Sequence, residues 1–401
     1  MASNPALIEI RTVSSEEYLE AGRPIASYAF GPSPQQTDME RARQNLPYYE
    51  RTTNLIAFVA GGAQASMVSH EMTQNVRGMV VPMGGAGGVA SMPVGRRQGI
   101  VRRMFERVFE LYHDAEMPSA TLYPFRDSFY ERLGYASFPK PRFLTLRPEA
   151  LVPLVRHDKP GTCEQLAMKD GFDEWRAFLE RFQRHTHGFA LAHVTKARQA
   201  RVLNESWVAL ARYEGEVVGA MTFKITGYGE KLIADTFYTV NSIGRYLLLD
   251  WIGRHTDQVR EAVIELRPDE YPEVWFHDLG EATRTDAERA WPGPMGRVVD
   301  VEKLSGIGAG QGEITLEIRD LICPWNNGIF TLRAESGVLA VEATDAKPAG
   351  HLTIQGLSAL VFTGHDPAGF CFRGWGDPDT ETQATLRALF PPAIPDIHEK
   401  F

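Results

Sequence analysis

The chain has 401 residues, 43% of them hydrophobic and 23% charged, with a formal net charge of −9. This length predicts two or three domains of ordinary globular composition. The acidic balance weighs against nucleic acid as a partner, and no run of about 18 apolar residues is present to span a membrane.

The first residues, Met1-Ala2-Ser3-Asn4-Pro5, lack the basic and apolar regions of a signal peptide, and the three cysteines (Cys163, Cys323, Cys371) are too scattered for a disulfide framework or a zinc site. A cytoplasmic protein is expected. Ile8-Glu9-Ile10 reads as a short strand, and Ser14 with Glu17 as a capping box opening a helix to about Tyr28. Leu55–Val59 and Ala65–Val68 flank a Gly61-Gly62 hairpin turn, and Met79–Val81 and Val89–Met92 supply two more strands. The glycine run Gly84–Gly88 lacks a Walker lysine and Rossmann spacing, so a flexible connection between strands is expected there.

Strand Val89–Met92 stops at Pro93, and a turn holding Arg96, Arg97 and Gly99 leads into a helix. Ile100, Val101, Met104, Phe105, Val108, Phe109 and Tyr112 recur at helical spacing through about His113. A helix start offers free N–H groups and a positive dipole end; two adjacent guanidinium groups oppose that dipole unless an anion is bound. A pyrophosphate cradle follows from this pattern. Strand Ala120–Tyr123 and helix Asp127–Leu133, with Asp127 as its N-cap, complete a mixed α/β unit spanning residues 1–146.

Residues 147–292 repeat part of this plan. Trp207–Arg212, Val217–Ile225 and Leu232–Val240 read as strands and Ile243–His255 as a helix, but the intervening Asn241-Ser242-Ile243-Gly244-Arg245 has no paired arginines. This second unit is expected to hold no cofactor. His185-Thr186-His187 spaces two imidazoles like metal ligands without a third nearby, so no metal site is expected. Phe30, Trp207, Phe237 and Trp275 are expected in the core. Residues 293–401 change character: Gly312–Ile318 alternates strictly, Gly328–Ala334, Val338–Ala343 and His351–Ile354 follow as strands, and Ser358–Phe362 and Glu381–Leu389 as helices. Pro391-Pro392-Ala393-Ile394-Pro395 then favours an extended tail.

The Arg96-Arg97-Gln98-Gly99 turn, followed by Phe129-Tyr130-Glu131-Arg132-Leu133-Gly134-Tyr135, resembles the GCN5-related N-acetyltransferases (GNAT). Val101 stands where that family has a small residue. The three-unit order, with Met295–Val301 opening the third unit and Gly244–Ile252 in the second, resembles the enhanced intracellular survival (Eis) branch across essentially the whole chain. The resemblance implies tandem acetyltransferase-like domains of α/β class followed by an α+β sterol-carrier-protein-like domain. It further implies acetyl-CoA as cosubstrate, bound through Val89, Ser91, Arg96, Arg97, Gly99 and Ile100. Tyr130 becomes the general acid for the departing thiol, and a terminal carboxylate at Phe401 the base for an incoming amine. Acceptors of that branch include polycations such as aminoglycosides, and protein lysines; a homo-oligomer, commonly a hexamer, is implied too. The competing expectation is a lipid or hydrophobic-ligand binding protein with a vestigial acetyltransferase site.

Overall fold

The computed structural model describes residues 8–31, 39–275, 282–284 and 292–401, and the chain divides into two compact units. Unit 1 comprises Met1–Phe138, His187–Lys196 and Pro292–Phe401; unit 2 comprises Pro139–Thr186 and Ala197–Trp291. The first and third predicted segments thus fold together, and the first break falls after Phe138 instead of at 146. The reason is that Arg142–Leu146 is a strand of unit 2, antiparallel to Val259–Leu266.

Among the described residues, unit 1 contains an eight-stranded sheet. Strands β1 (Ile8–Val13), β2 (Thr52–Val59), β3 (Gly62–Val76) and β4 (Met79–Ser91) are antiparallel neighbours in that order. The chain leaves β4 through helix α3 (Ile100–Asp114) and returns as β5 (Ser119–Leu122), parallel to β4. Helices α1 (Arg23–Phe30) and α2 (Met39–Gln44) lie between β1 and β2, and α4 (Asp127–Glu131) precedes β6 (Ala136–Ser137). The predicted first helix is broken by a π-helical turn at Tyr18–Gly22, although Ser14 does cap its start, its Oγ accepting from the Glu17 N–H at 3.1 Å. Strand β7 (Ala190–Ala192) adds to β3.

The apolar face predicted for α3 is the one it buries: Ile100, Met104, Phe105, Val108, Phe109 and Tyr112 pack on the sheet. Each such side chain contributes about 1.5–3 kcal/mol of burial. Two expectations are corrected. Gly84–Gly88 is the interior of β4, not a flexible connection, because close neighbours need the missing Cβ atoms: a Cβ on Gly84 would stand 2.1 Å from the Tyr112 ring. And Met295–Val298 does not open a separate domain; as β8 it slots between β5 and β6 in the first sheet.

The rest of residues 292–401 forms a four-stranded sheet in the order Val338–Ala343, Gly328–Glu335, Glu313–Arg319, Gly350–Thr353, with helices Ile354–Thr363 and Thr380–Leu389. One apolar cluster containing Leu316, Ile318, Phe330, Leu357, Phe362 and Phe390 also takes in Val298 of β8, so this sheet and the first share a core.

Unit 2, by itself, has a seven-stranded sheet among the described residues. Trp207–Tyr213, Glu216–Ile225 and Glu230–Thr239 are antiparallel neighbours; helix Ser242–Gly253 then leads to Val259–Leu266, parallel to Glu230–Thr239. This is the strand–helix–strand plan of β4, α3 and β5. Among the acidic residues of this unit, Asp269 is held by Arg267 and Glu270 by Arg245. No helix among the described residues is long and apolar enough to cross a membrane.

Candidate active site

Strand β4 organises the site. Its pairing with β5 ends at Ala86–Leu122, so residues 87–91 have no β5 partner. A bulge opposite Ser66–Val68 of β3, with Gly88 at φ +58°, turns the strand there. The main chain of Val89 and Ser91 therefore runs along an open gap, and unpaired peptide groups at such an edge can take up an extended amide ligand. Both residues are half-buried.

Beyond Pro93 the chain reaches the arginine turn. Arg96 and Arg97 are exposed, and among the described residues neither has an ion-pair partner. Arg97 adopts φ +62° and Gly99 φ +74°; a Cβ on Gly99 would meet nothing within 4 Å. Gly99 is the N-cap of α3, and no side chain caps that helix start. Its first-turn N–H groups are thus left to solvent or to an anion. The Ile100 side chain is buried in the core, so only its backbone N–H is available there. The matching helix of unit 2 is closed: the Asn241 side chain caps it by accepting the Gly244 N–H at 2.9 Å, and a Cβ on Gly244 would stand 2.3 Å from the Val218 carbonyl oxygen.

Tyr130 lies on α4, buried with its ring edge-on to Phe105, Phe125 and Phe129. Among the described residues its hydroxyl has no hydrogen-bond partner, and burial raises its pKa above the ordinary phenol value. The phenol therefore keeps its proton at neutral pH. Giving that proton to a thiolate would be uphill, since the ordinary values are about 10 for phenol and 8.5 for thiol. The same apolar surroundings would raise a nascent thiol's pKa too, which narrows the gap. Tyr135 is wholly buried, and among the described residues its hydroxyl has no hydrogen-bond partner, as fits a packing residue, whereas Tyr123 donates to the Glu399 carbonyl at 3.1 Å. Asp127 does not cap α4; it is the helix's first residue and accepts from the Ser137 hydroxyl at 3.0 Å.

Phe401 is brought to the same strand. Its ring meets Tyr123 and His70 edge-on, with centroids 5.7 and 6.1 Å away. A Cβ on Gly85 would stand 3.0 Å from that ring, and one on Gly87 3.3 Å from the Phe401 carbonyl carbon. The segment is pinned upstream: the Ala192 N–H donates to the Glu399 carboxylate at 3.0 Å, and the Asp396 N–H to the His187 carbonyl at 3.0 Å. One strand thus carries the seat of Phe401 at 85 and 87 and the open edge at 89 and 91, then leads into the arginine turn.

A cavity of about 600 Å³ adjoins Phe401. Tyr18, Arg23, Arg41, Tyr49, His70 and Lys196 are among its lining side chains. Burial, and to a lesser degree Lys196, lowers the His70 pKa to about 3, so its imidazole is neutral. These residues come from separate segments with no local motif, and sequence reasoning missed them. The glycine run was the one legible signal, since glycines inside a strand mark close approach of another group. His187 does not point to a metal: its Nδ1 accepts the Arg77 N–H at 2.9 Å and its Nε2 donates to the Phe362 carbonyl at 2.6 Å. No group of three or more His, Cys, Asp or Glu side chains is placed to hold a metal among the described residues.

Residues 9–138 match an acetyltransferase (GNAT) domain, and residues 302–396 match a sterol carrier protein domain. No curated protein matches the chain in sequence. Among solved structures, it is similar to a GCN5-related N-acetyltransferase from Anabaena variabilis, at 16% identity and a TM-score of 0.83 over 98% of this chain and 100% of that one. A protein of unknown function from Enterococcus faecalis, described as a probable N-acyltransferase, has 19% identity and a TM-score of 0.83, covering 99% and 100%. Eis1 from Mycobacterium abscessus has 17% identity and a TM-score of 0.76, covering 98% and 100%. The fold is therefore one of tandem GNAT-like domains followed by a sterol-carrier-protein-like domain, and the enzyme carried by residues 9–138 is an N-acetyltransferase.

Proposed function

We propose that this acetyltransferase domain moves the acetyl group of acetyl-CoA to the primary amine of a small molecule, in the manner of the Eis branch. The observation that carries the reading is the continuity of β4: open edge, uncapped helix start with Arg96 and Arg97, and the seat of Phe401 all lie on one strand or its extension. The residues fit the cosubstrate. Arg96, Arg97 and the backbone N–H groups of Gly99 and Ile100 would hold a pyrophosphate, and the main chain of Val89 and Ser91 a pantetheine arm. Bound there, acetyl-CoA supplies an acetyl group already activated as a thioester.

The chain's own groups then handle protons. An amine of pKa near 10 arrives as ammonium. A carboxylate at Phe401 holds that ammonium and accepts its proton; a terminal carboxyl ordinarily titrates near about 3.5, which makes it a weak base, so fixed geometry carries much of the effect. The Tyr130 phenol donates toward the leaving sulfur. The closed helix start of unit 2 supports a single cofactor site. Thiol release from acetyl-CoA, measured across a panel of primary amines, tests the reading. Tyr130→Phe and a protein extended beyond Phe401 should both lose turnover about a hundredfold while still binding CoA. Full activity in the extended protein removes the carboxylate from the mechanism.

A further inference from the structure

The cavity beside Phe401 has a charge that the chain as a whole does not predict. Acidic residues outnumber basic ones, 51 to 42. Yet Arg23, Arg41 and Lys196 line this cavity, and no aspartate or glutamate side chain is among its described lining residues. Glu16, Glu17 and Glu71 on the framing elements have partners of their own, Arg43, Arg11 and Arg51. The Glu399 carboxylate, which accepts the Ala192 N–H, is close enough to Lys196 to act on its charge. His70 adds an imidazole that hydrogen-bonds the Thr52 hydroxyl at 3.2 Å, and Tyr49 stacks under the Lys196 ammonium at 5.0 Å.

From this lining we infer that the acceptor is a primary amine that also carries an anionic group, a carboxylate or phosphate, and is not a polycation. This deepens the transferase reading above and rests on it. The amine end belongs next to Phe401 and the open edge of β4, where the proposed base stands. The anionic end belongs with Arg23 and Lys196. The cavity, at about 600 Å³, suits a ligand of metabolite size. Burial lowers the Lys196 pKa even though the Glu399 charge acts to raise it; a further anion seated beside it relieves that penalty and a second cation makes it worse. A polycation such as an aminoglycoside would set several ammonium groups against the like charges of Arg23 and Lys196.

The test uses matched primary amines that differ only in the anionic group. Aminoethyl phosphate is compared with methoxyethylamine, and an ω-amino acid with its amide; spermidine and an aminoglycoside supply the polycations. Thiol release gives kcat/KM, and calorimetry with CoA present gives dissociation constants for the same amines. Each anionic member should exceed its neutral twin by about tenfold or more, with the polycations lowest. In Lys196→Met and Arg23→Gln the twins should converge to within about threefold. Comparison of the phosphate and carboxylate arms identifies which anion the site takes. Turnover of polycations ahead of the anionic amines overturns the inference and leaves the transferase reading standing. Selective binding of the anionic twins with no thiol release from any amine does the reverse. Twins that bind and react alike overturn the inference.

Discussion

Asp320→Asn tests the buried charge pair that ties the Tyr130 turn to the C-terminal sheet. Arg297, on β8, is wholly buried and donates to the Asp320 carboxylate and to the Leu133 carbonyl just after α4; its guanidinium also lies 4.1 Å from the centre of the Phe109 ring. Asp320 in turn accepts from the Ile322 N–H at 2.9 Å, the Cys323 N–H at 3.1 Å and the Asn326 amide at 2.9 Å. An asparagine can still serve the two backbone donors, but its NH₂ would face the guanidinium and the Asn326 amide, donor against donor. Removing one partner of a buried pair costs about 3–5 kcal/mol, and the orphaned amide about 1 more. The sum, about 5 kcal/mol, is a large share of a typical stability of about 5–15 kcal/mol. Hydrogen exchange of the Gly134 and Tyr135 amides, bonded to the Glu131 and Tyr130 carbonyls, reads it directly. Protection there should fall by about three to four decades, one per 1.4 kcal/mol. Arg297→Met added to Asp320→Asn should recover about half the loss, because no buried charge then remains unpaired. A single variant that costs under about 1 kcal/mol, or a double no better than the single, refutes the argument.

Gly85→Ala places a methyl 2.6 Å from the Met72 sulfur and 3.0 Å from the Phe401 ring. Displacing that half-buried ring should lower kcat about tenfold, corresponding to some 1.4 kcal/mol of positioning, with KM for acetyl-CoA unchanged; a kcat within about twofold of the parent refutes the seat. Stability should also depend on pH through two histidines. Burial lowers His70 to about 3 and His187 to about 4, against an ordinary value of 6.5. Both are neutral when folded but take up protons in the unfolded chain below 6.5, so stability is complete above that pH and is lost as pH falls toward 4. The slope is up to about 2.7 kcal/mol per pH unit, some 1.4 for each proton. Urea midpoints across this range should show His70→Gln with about half the parent's slope; an unchanged slope excludes His70 as a source.

Legibility followed the range of the interaction. Helix α3, with its apolar face and arginine turn, was readable because a helix's hydrogen bonds and face are set within a few residues of one another. The same holds for the hairpins of unit 2 and for Val338–Ala343, whose bounds match the expected strand. Phe30 and Trp207, expected in the core, are instead 62% and 43% exposed. Their types favour burial, but which face of an element meets the core is settled by its neighbours.

The amino-acid sequence alone determined elements such as helix α3 and strand Val338–Ala343, and it set the turn at Arg96–Gly99, because those outcomes depend on local periodicity, proline and glycine. Only the tertiary structure decided where those segments go. It put β8 into the first sheet, made a strand of Gly84–Gly88 to receive Phe401, and gathered Arg23, Arg41, His70 and Lys196 around one cavity. Sheet partners and cavity walls are chosen by contacts between residues hundreds of positions apart, and no local pattern encodes which distant side chain will fill the space a missing Cβ leaves.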